Sequence, residues 1–98
     1  MTVVSLESSE SGSRRIYSVK ASGHATGSTE VCAAISVLMT TLAGYVKNFA
    51  SPIDIRLASA DSAVIFTGGE EAKAAYNMAK IGFLQLENSY GSYIRVKN

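Results

Sequence analysis

Val3, Val4 and Leu6 open the chain with strand-type apolar residues. Residues 7–15, ESSESGSRR, then interrupt with small and charged side chains, a composition that predicts a loop. Strand-type residues resume at Ile16 to Ala21. Tyr17, Val19 and Ala21 fall on one face, and Ser18 and Lys20 on the other. Two such runs around a polar loop predict a hairpin. The segment SGHATGS follows, with Gly23 and Gly27 marking mobile backbone. Beyond it Val31, Ile35, Leu38, Leu42, Tyr45 and Phe49 recur at three- and four-residue intervals, the period of a helix with one apolar face. Ser28 or Thr29 can cap this helix. Thr29 is preferred, because Glu30 then lies in the first turn, where the helix dipole favours negative charge. Pro52 closes the helical region, since the chain before a proline tends to be extended.

The second half repeats the scheme. Ile53, Ile55 and Leu57 alternate with Asp54, Arg56 and Ala58, which predicts a strand, and ASADSA is a turn. Val64, Ile65 and Phe66 form the next strand, ended by Gly68-Gly69. Glu70 to Glu87 predicts a second helix with Ala72, Tyr76, Ala79, Phe83 and Leu86 as its apolar stripe. Tyr93 to Lys97 is a short last strand with Ile94 and Val96 facing in. The order is ββαββαβ. It predicts an α+β fold, a mostly antiparallel sheet packed with two helices. The 98 residues fit one domain, residues 1–98, whose 47% hydrophobic side chains suffice for a modest core.

Nine basic residues against eight acidic ones leave a net charge of +1. A balance this neutral argues against binding nucleic acid directly through phosphates, and against a polybasic membrane contact. The apolar stretch from Val31 to Phe49 carries Ser36, Thr40, Thr41, Lys47 and Asn48, which is too polar for an expected membrane span. MTVVSLESSE lacks the pattern of a signal peptide. The one cysteine excludes an internal disulfide and points to the cytoplasm. One cysteine and one histidine cannot make a four-ligand zinc site, so neither a metal nor another cofactor is expected.

The same two residues are the one place for chemistry. His24 and Cys32 lie eight residues apart, across the turn into the first helix. With Thr29 as cap, Cys32 is the third helical residue. Negative charge is favoured there, and the thiolate is the nucleophilic form of cysteine. First-turn amides without helical partners can hold an oxyanion. His24, in the loop before that turn, can take the thiol proton and return it to a departing amine. The alternative is a cysteine packed in the core beside Ile35 and Met39, and a histidine that is merely solvated.

The stretch SGHATGSTEVCAAIS resembles the signature of the ribosomal-processing cysteine protease family, Prp (YsxB-like), which reads G-H-A, a glycine-containing loop, then D-I-V-C-A-A-x-S opening a helix. Gly23-His24-Ala25 matches its first part and Val31-Cys32-Ala33-Ala34-Ile35-Ser36 its second. Ile81-Gly82-Phe83-Leu84 and the strand at Tyr93 to Val96 are similar to the end of the family's βαββα core. The resemblance implies a cysteine endopeptidase with Cys32 as nucleophile and His24 as base. It implies removal of an N-terminal extension from a protein substrate, either a large-subunit ribosomal protein or, in phages, a capsid or scaffold protein. It also implies a homodimer. Two departures accompany it. The loop from His24 to Cys32 is several residues shorter than usual in the family. Thr29 and Glu30 stand where the family carries an acidic and an aliphatic residue.

Gly23 and Ser36 are the supporting candidates. Gly23 lets a substrate backbone pass closely or simply ends a strand. Ser36 lies one helical turn after Cys32 and supports the site or bonds back to a helix carbonyl. Asp54 and Asp61 are weaker candidates for orienting His24. Gly68-Gly69 before Glu70 lacks any phosphate-loop pattern and reads as a turn. The shortened loop keeps a second function open, a non-catalytic module that grips ribosomal or capsid precursors without cutting them. A structural domain with a core cysteine is the third.

Overall fold

The computed structural model describes residues 1–98. Its elements follow the predicted order: β1 (Thr2–Ser11), β2 (Arg14–Ser22), α1 (Thr29–Phe49), β3 (Ser51–Ala58), β4 (Asp61–Thr67), α2 (Glu70–Tyr90) and β5 (Ile94–Lys97). The strands form one sheet in the order β3-β4-β2-β1-β5. All neighbours are antiparallel except β1 and β5, which run parallel with Thr2 opposite Ile94. The fold is α+β.

Strand alternation decides which face the helices cover. Val4 and Leu6 of β1, Tyr17, Val19 and Ala21 of β2, and Val64 and Phe66 of β4 are all buried. Register lines them up, with Leu6 opposite Val19, Val19 opposite Val64, and Tyr17 opposite Phe66. Tyr17 stacks on Phe66 at 5.4 Å between ring centroids and meets Tyr76 of α2 at 5.0 Å. Against this face α1 lays Val31, Met39, Leu42, Ala43 and Val46, and α2 lays Ala72, Ala75, Tyr76, Ala79 and Phe83. Gly82 brings the helices together, since a Cβ there would stand 2.9 Å from Leu38.

Four expectations are corrected. Residues 7–15 are not a loop. β1 and β2 stay paired from Glu7 opposite Ser18 to Ser11 opposite Arg14, around a turn at Gly12 (φ +64°). Residues 7–15 are exposed throughout, so no apolar alternation marks them. Arg15 ties it together by donating to Ser8 Oγ (2.8 Å) and Glu10 Oε1 (2.9 Å). The apolar stripe of α1 is also rotated. Met39, Ala43 and Val46 face the sheet, whereas Tyr45 (36% exposed) and Phe49 (62%) lie outside and pack on each other at 4.9 Å. Small Ala43 lets the helix sit close, and that outweighs the size of the aromatics. Pro52 lies inside β3 rather than before it, which an edge strand with a bulge between Pro52 and Asp54 permits. Finally, α1 is long and apolar enough by composition to cross a membrane, contrary to the count of its polar positions.

Tyr76 gives the core a pH signature. Burial, then Glu7, then Tyr17 push its phenol above the ordinary 10.0. The unfolded chain therefore ionises this tyrosine first. Its contribution is intact below pH 10 and is lost as pH rises through the folded-state value. Urea unfolding at pH 8 and pH 11 checks this. The midpoint should fall less for Tyr76→Phe than for the native chain.

Candidate active site

The turn from β2 into α1 places the two candidate residues. The Gly23 N–H donates to the Ala60 carbonyl (3.0 Å), and the Thr2 hydroxyl donates to the Gly23 carbonyl (3.1 Å). Gly23 has φ +88°, and a Cβ there would stand 2.6 Å from the Met1 carbonyl oxygen. The close approach at Gly23 is thus made by the chain's own first residue. His24 follows, exposed. Ala25 is buried, and its carbonyl accepts both the Ser28 N–H (3.1 Å) and the Cys32 thiol (3.7 Å).

Ser28, not Thr29, caps the helix. Its Oγ accepts from the Val31 N–H at 3.2 Å, and its hydroxyl donates to Glu30 Oε2 at 3.3 Å. Ser28 is buried, so it alone of the two hydroxyl residues can turn inward under the first turn. The shift makes Cys32 the fourth helical residue, with its N–H on the Ser28 carbonyl (3.3 Å). The amides of Val31 and Cys32 are therefore committed to Ser28. Those of Thr29 and Glu30 remain as the first-turn donors without a partner in the chain.

Cys32 is exposed, against the alternative of a core cysteine. His24 and Cys32 line one cleft of about 410 Å³. α1 contributes Ile35, Ser36, Met39 and Thr40 to it. The tip of the β3–β4 hairpin, Leu57 to Ser62, forms the facing wall, and Thr2, Ala21 and Gly23 close its end. A second, more open hollow runs along residues 24–30 and again includes Cys32. The thiol and imidazole thus stand where the two hollows meet. Gly23 and Ser36 are brought to the same cleft. Asp61 also lines it, but its carboxylate receives Arg56 Nη2 at 3.1 Å. Asp54 does not line it and lies 3.9 Å from the same guanidinium. His24 has no carboxylate partner. No group of three or more His, Cys, Asp or Glu residues is placed to hold a metal.

Sequence patterning did not identify three contributors. Thr2 and the Ser59-Ala60 turn carry no chemical motif, and Leu57 stands out only as part of the alternation that predicts β3. Leu57 is 46% exposed and lines the cleft. Ala60 holds φ +62° without being glycine, a conformation that costs about 1–2 kcal/mol. The one available signal was the brevity of the hairpin turn, which forces such a conformation.

The pattern of the family described as "Cysteine protease Prp" matches residues 1–95. Among solved structures, the chain is similar to the essential ribosomal processing protease Prp from S. aureus with a covalently linked product peptide. That likeness has 19% identity and a TM-score of 0.76, over 99% of this chain and 98% of that one. The same S. aureus protease in complex with a substrate peptide gives 17% identity and a TM-score of 0.71, over 99% and 98%. SMU.848 from Streptococcus mutans gives 18% and 0.70, over 99% and 92%. No curated protein matches the chain.

Two substitutions test the local architecture. Gly23→Ala must fit a Cβ into the Met1 carbonyl at an unfavourable φ. It should cost at least about 2 kcal/mol in denaturant unfolding. Ser28→Ala, which uncaps α1, should cost about 1 kcal/mol by the same assay.

Proposed function

Because the chain belongs to the cysteine protease Prp family and is a cysteine protease, we propose that Cys32 is its nucleophile and His24 its general base and acid. The observation that carries this is arithmetical and spatial together. A cysteine protease needs a cysteine, this chain has one, and its one histidine lines the same cleft.

Cys32 transfers its proton to the His24 imidazole, and the thiolate attacks the scissile carbonyl carbon. The negative charge moves to the carbonyl oxygen, for which the free amides of Thr29 and Glu30 are the nearest unpartnered backbone donors of the helix start. The tetrahedral species expels the amine, which takes the proton back from His24. Water then cleaves the thioester, regenerating the thiol and releasing the acyl half as a carboxylate. Ser36 and Gly23 support the site from the cleft wall.

The substrate we propose is a protein with an N-terminal extension, from a large-subunit ribosomal protein or a phage capsid or scaffold protein. Support comes from the S. aureus relatives, described as ribosomal processing proteases and seen with a substrate peptide and a product peptide. An open cleft of about 410 Å³ suits an extended peptide. The cytoplasm is the proposed setting, and a homodimer the proposed assembly. Val37 and Met78, both strongly exposed on the outer side of the helices, offer a second copy an apolar face.

Incubation with peptides spanning such extensions, followed by mass spectrometry, tests the assignment. Cys32→Ala should abolish cleavage and leave the melting temperature within about 3 °C, because the side chain is exposed. His24→Ala should lower kcat by about 10²–10⁴-fold. Persistent cleavage by Cys32→Ala would remove Cys32 from the mechanism.

A further inference from the structure

Thr2 lies far from His24 in sequence, yet it touches the peptide group that carries it. Its hydroxyl donates to the Gly23 carbonyl at 3.1 Å, and that oxygen shares one planar peptide unit with the His24 Cα. The preceding peptide unit is fixed separately, because its Gly23 N–H donates to the Ala60 carbonyl at 3.0 Å. Two successive peptide planes are therefore pinned, one from the start of β1 and one from the β3–β4 turn. Only a residue free to take φ +88° can join them at this angle, and Gly23 does so. Thr2 is itself immobile. It is 2% exposed, its N–H donates to the Tyr93 carbonyl at 3.0 Å, and it pairs with Ile94 of β5. It also lines the end of the cleft that holds Cys32.

We infer that Thr2 is a positioning residue, whose hydroxyl fixes the Gly23–His24 peptide plane and so sets the direction in which the imidazole leaves the sheet. The inference rests on His24 acting on Cys32. A hydroxyl held this firmly is more than a strand-end polar group: the six residues after β2 have no other side-chain tether to the β1 edge. Removing it leaves Ser22 paired with Val3 and the Gly23 N–H on Ala60, but frees the Gly23 carbonyl and lets the plane before His24 rotate. The titratable and charged groups near the thiol are few. They are His24, Asp61 with its partner Arg56 on the hairpin side, and Glu30 on the helix side.

Iodoacetamide alkylation of Cys32, followed against pH in the full chain, tests this without a substrate. The chain has one thiol, so the rate reports a single site. Thr2→Val and Thr2→Ala both lack the hydroxyl, one keeping the bulk and the other relieving it, and Thr2→Ser retains the donor. His24→Ala supplies the profile of a thiol without its base. Circular dichroism first establishes that each variant is folded at the assay temperature. The expected result is that Thr2→Val or Thr2→Ala moves the profile toward that of His24→Ala. The rate at pH 7 should change by about three-fold or more, and Thr2→Ser should superpose on the native chain. A purely structural Thr2 would lower the melting temperature and leave the profile where it was, and that result overturns the inference. If His24→Ala also leaves the profile unmoved, the pairing of His24 with Cys32 falls with it. If His24→Ala shifts the profile and the Thr2 variants do not, the tether alone falls. Should both hydroxyl-free variants fail to fold, Thr2→Ser decides, and a Thr2→Ser profile displaced from the native one overturns the inference.

Discussion

Six residues, 23–28, join the end of β2 to the start of α1, and the shape of the candidate site depends on that short connection. A linker of this length spans at most about 20 Å when fully extended. Here it is far from extended, because the Ala25 carbonyl takes both the Ser28 amide and the Cys32 thiol. The histidine at its beginning and the cysteine just past its end are consequently delivered to one cleft. The sheet fixes the first of them and the helix fixes the second. A longer linker would raise the entropy cost of that meeting only slowly, by about 0.6 kcal/mol for each doubling of its length.

The layers around this connection are ordinary in their energetics but asymmetric in their coverage. Both helices lie on one face of a five-stranded sheet, against Val4, Leu6, Val19, Val64 and Phe66. The hairpin of β3 and β4 supplies another wall of the cleft, with Leu57 and the Ser59-Ala60 turn near its tip. Ala60 keeps a left-handed conformation there while its carbonyl holds Gly23. A small amount of backbone strain on one side of the cleft is thereby coupled to the placement of the histidine on the other.

Much of this was legible in the chain itself. Alternation at Tyr17, Val19 and Ala21 and the helical spacing at Ala72, Tyr76, Ala79 and Phe83 gave the layers, because each buries a face against a neighbour. Gly23-His24-Ala25 and Val31-Cys32-Ala33-Ala34 marked the two segments that the fold brings to one cleft. The distal arm of β1 and β2 was illegible, since strands solvated on both faces have no apolar period to display. The exposure of Tyr45 and Phe49 was illegible for the opposite reason. Helical period fixes which residues share a stripe, while the small Ala43 decides which stripe can approach the sheet. The choice of Ser28 over Thr29 as cap turned on which hydroxyl faces inward, a property of the loop's path. Thr2 was invisible because its contact crosses 21 positions of sequence.

The parallel pairing of β1 with β5 has a consequence in time. Thr2, Val3, Val4 and Ser5 find their partners only at Ile94 to Lys97, so the strand that closes one end of the cleft has no neighbour on that side until nearly the whole segment has left the ribosome. Closing so long a span is the slow, late event in assembling such a topology. The β2–α1 turn can form locally long before then, but the edge that supports it arrives last. A nascent chain therefore carries its histidine and its thiol, at positions 24 and 32, well before residues 94–97 can complete the sheet edge beside the cleft.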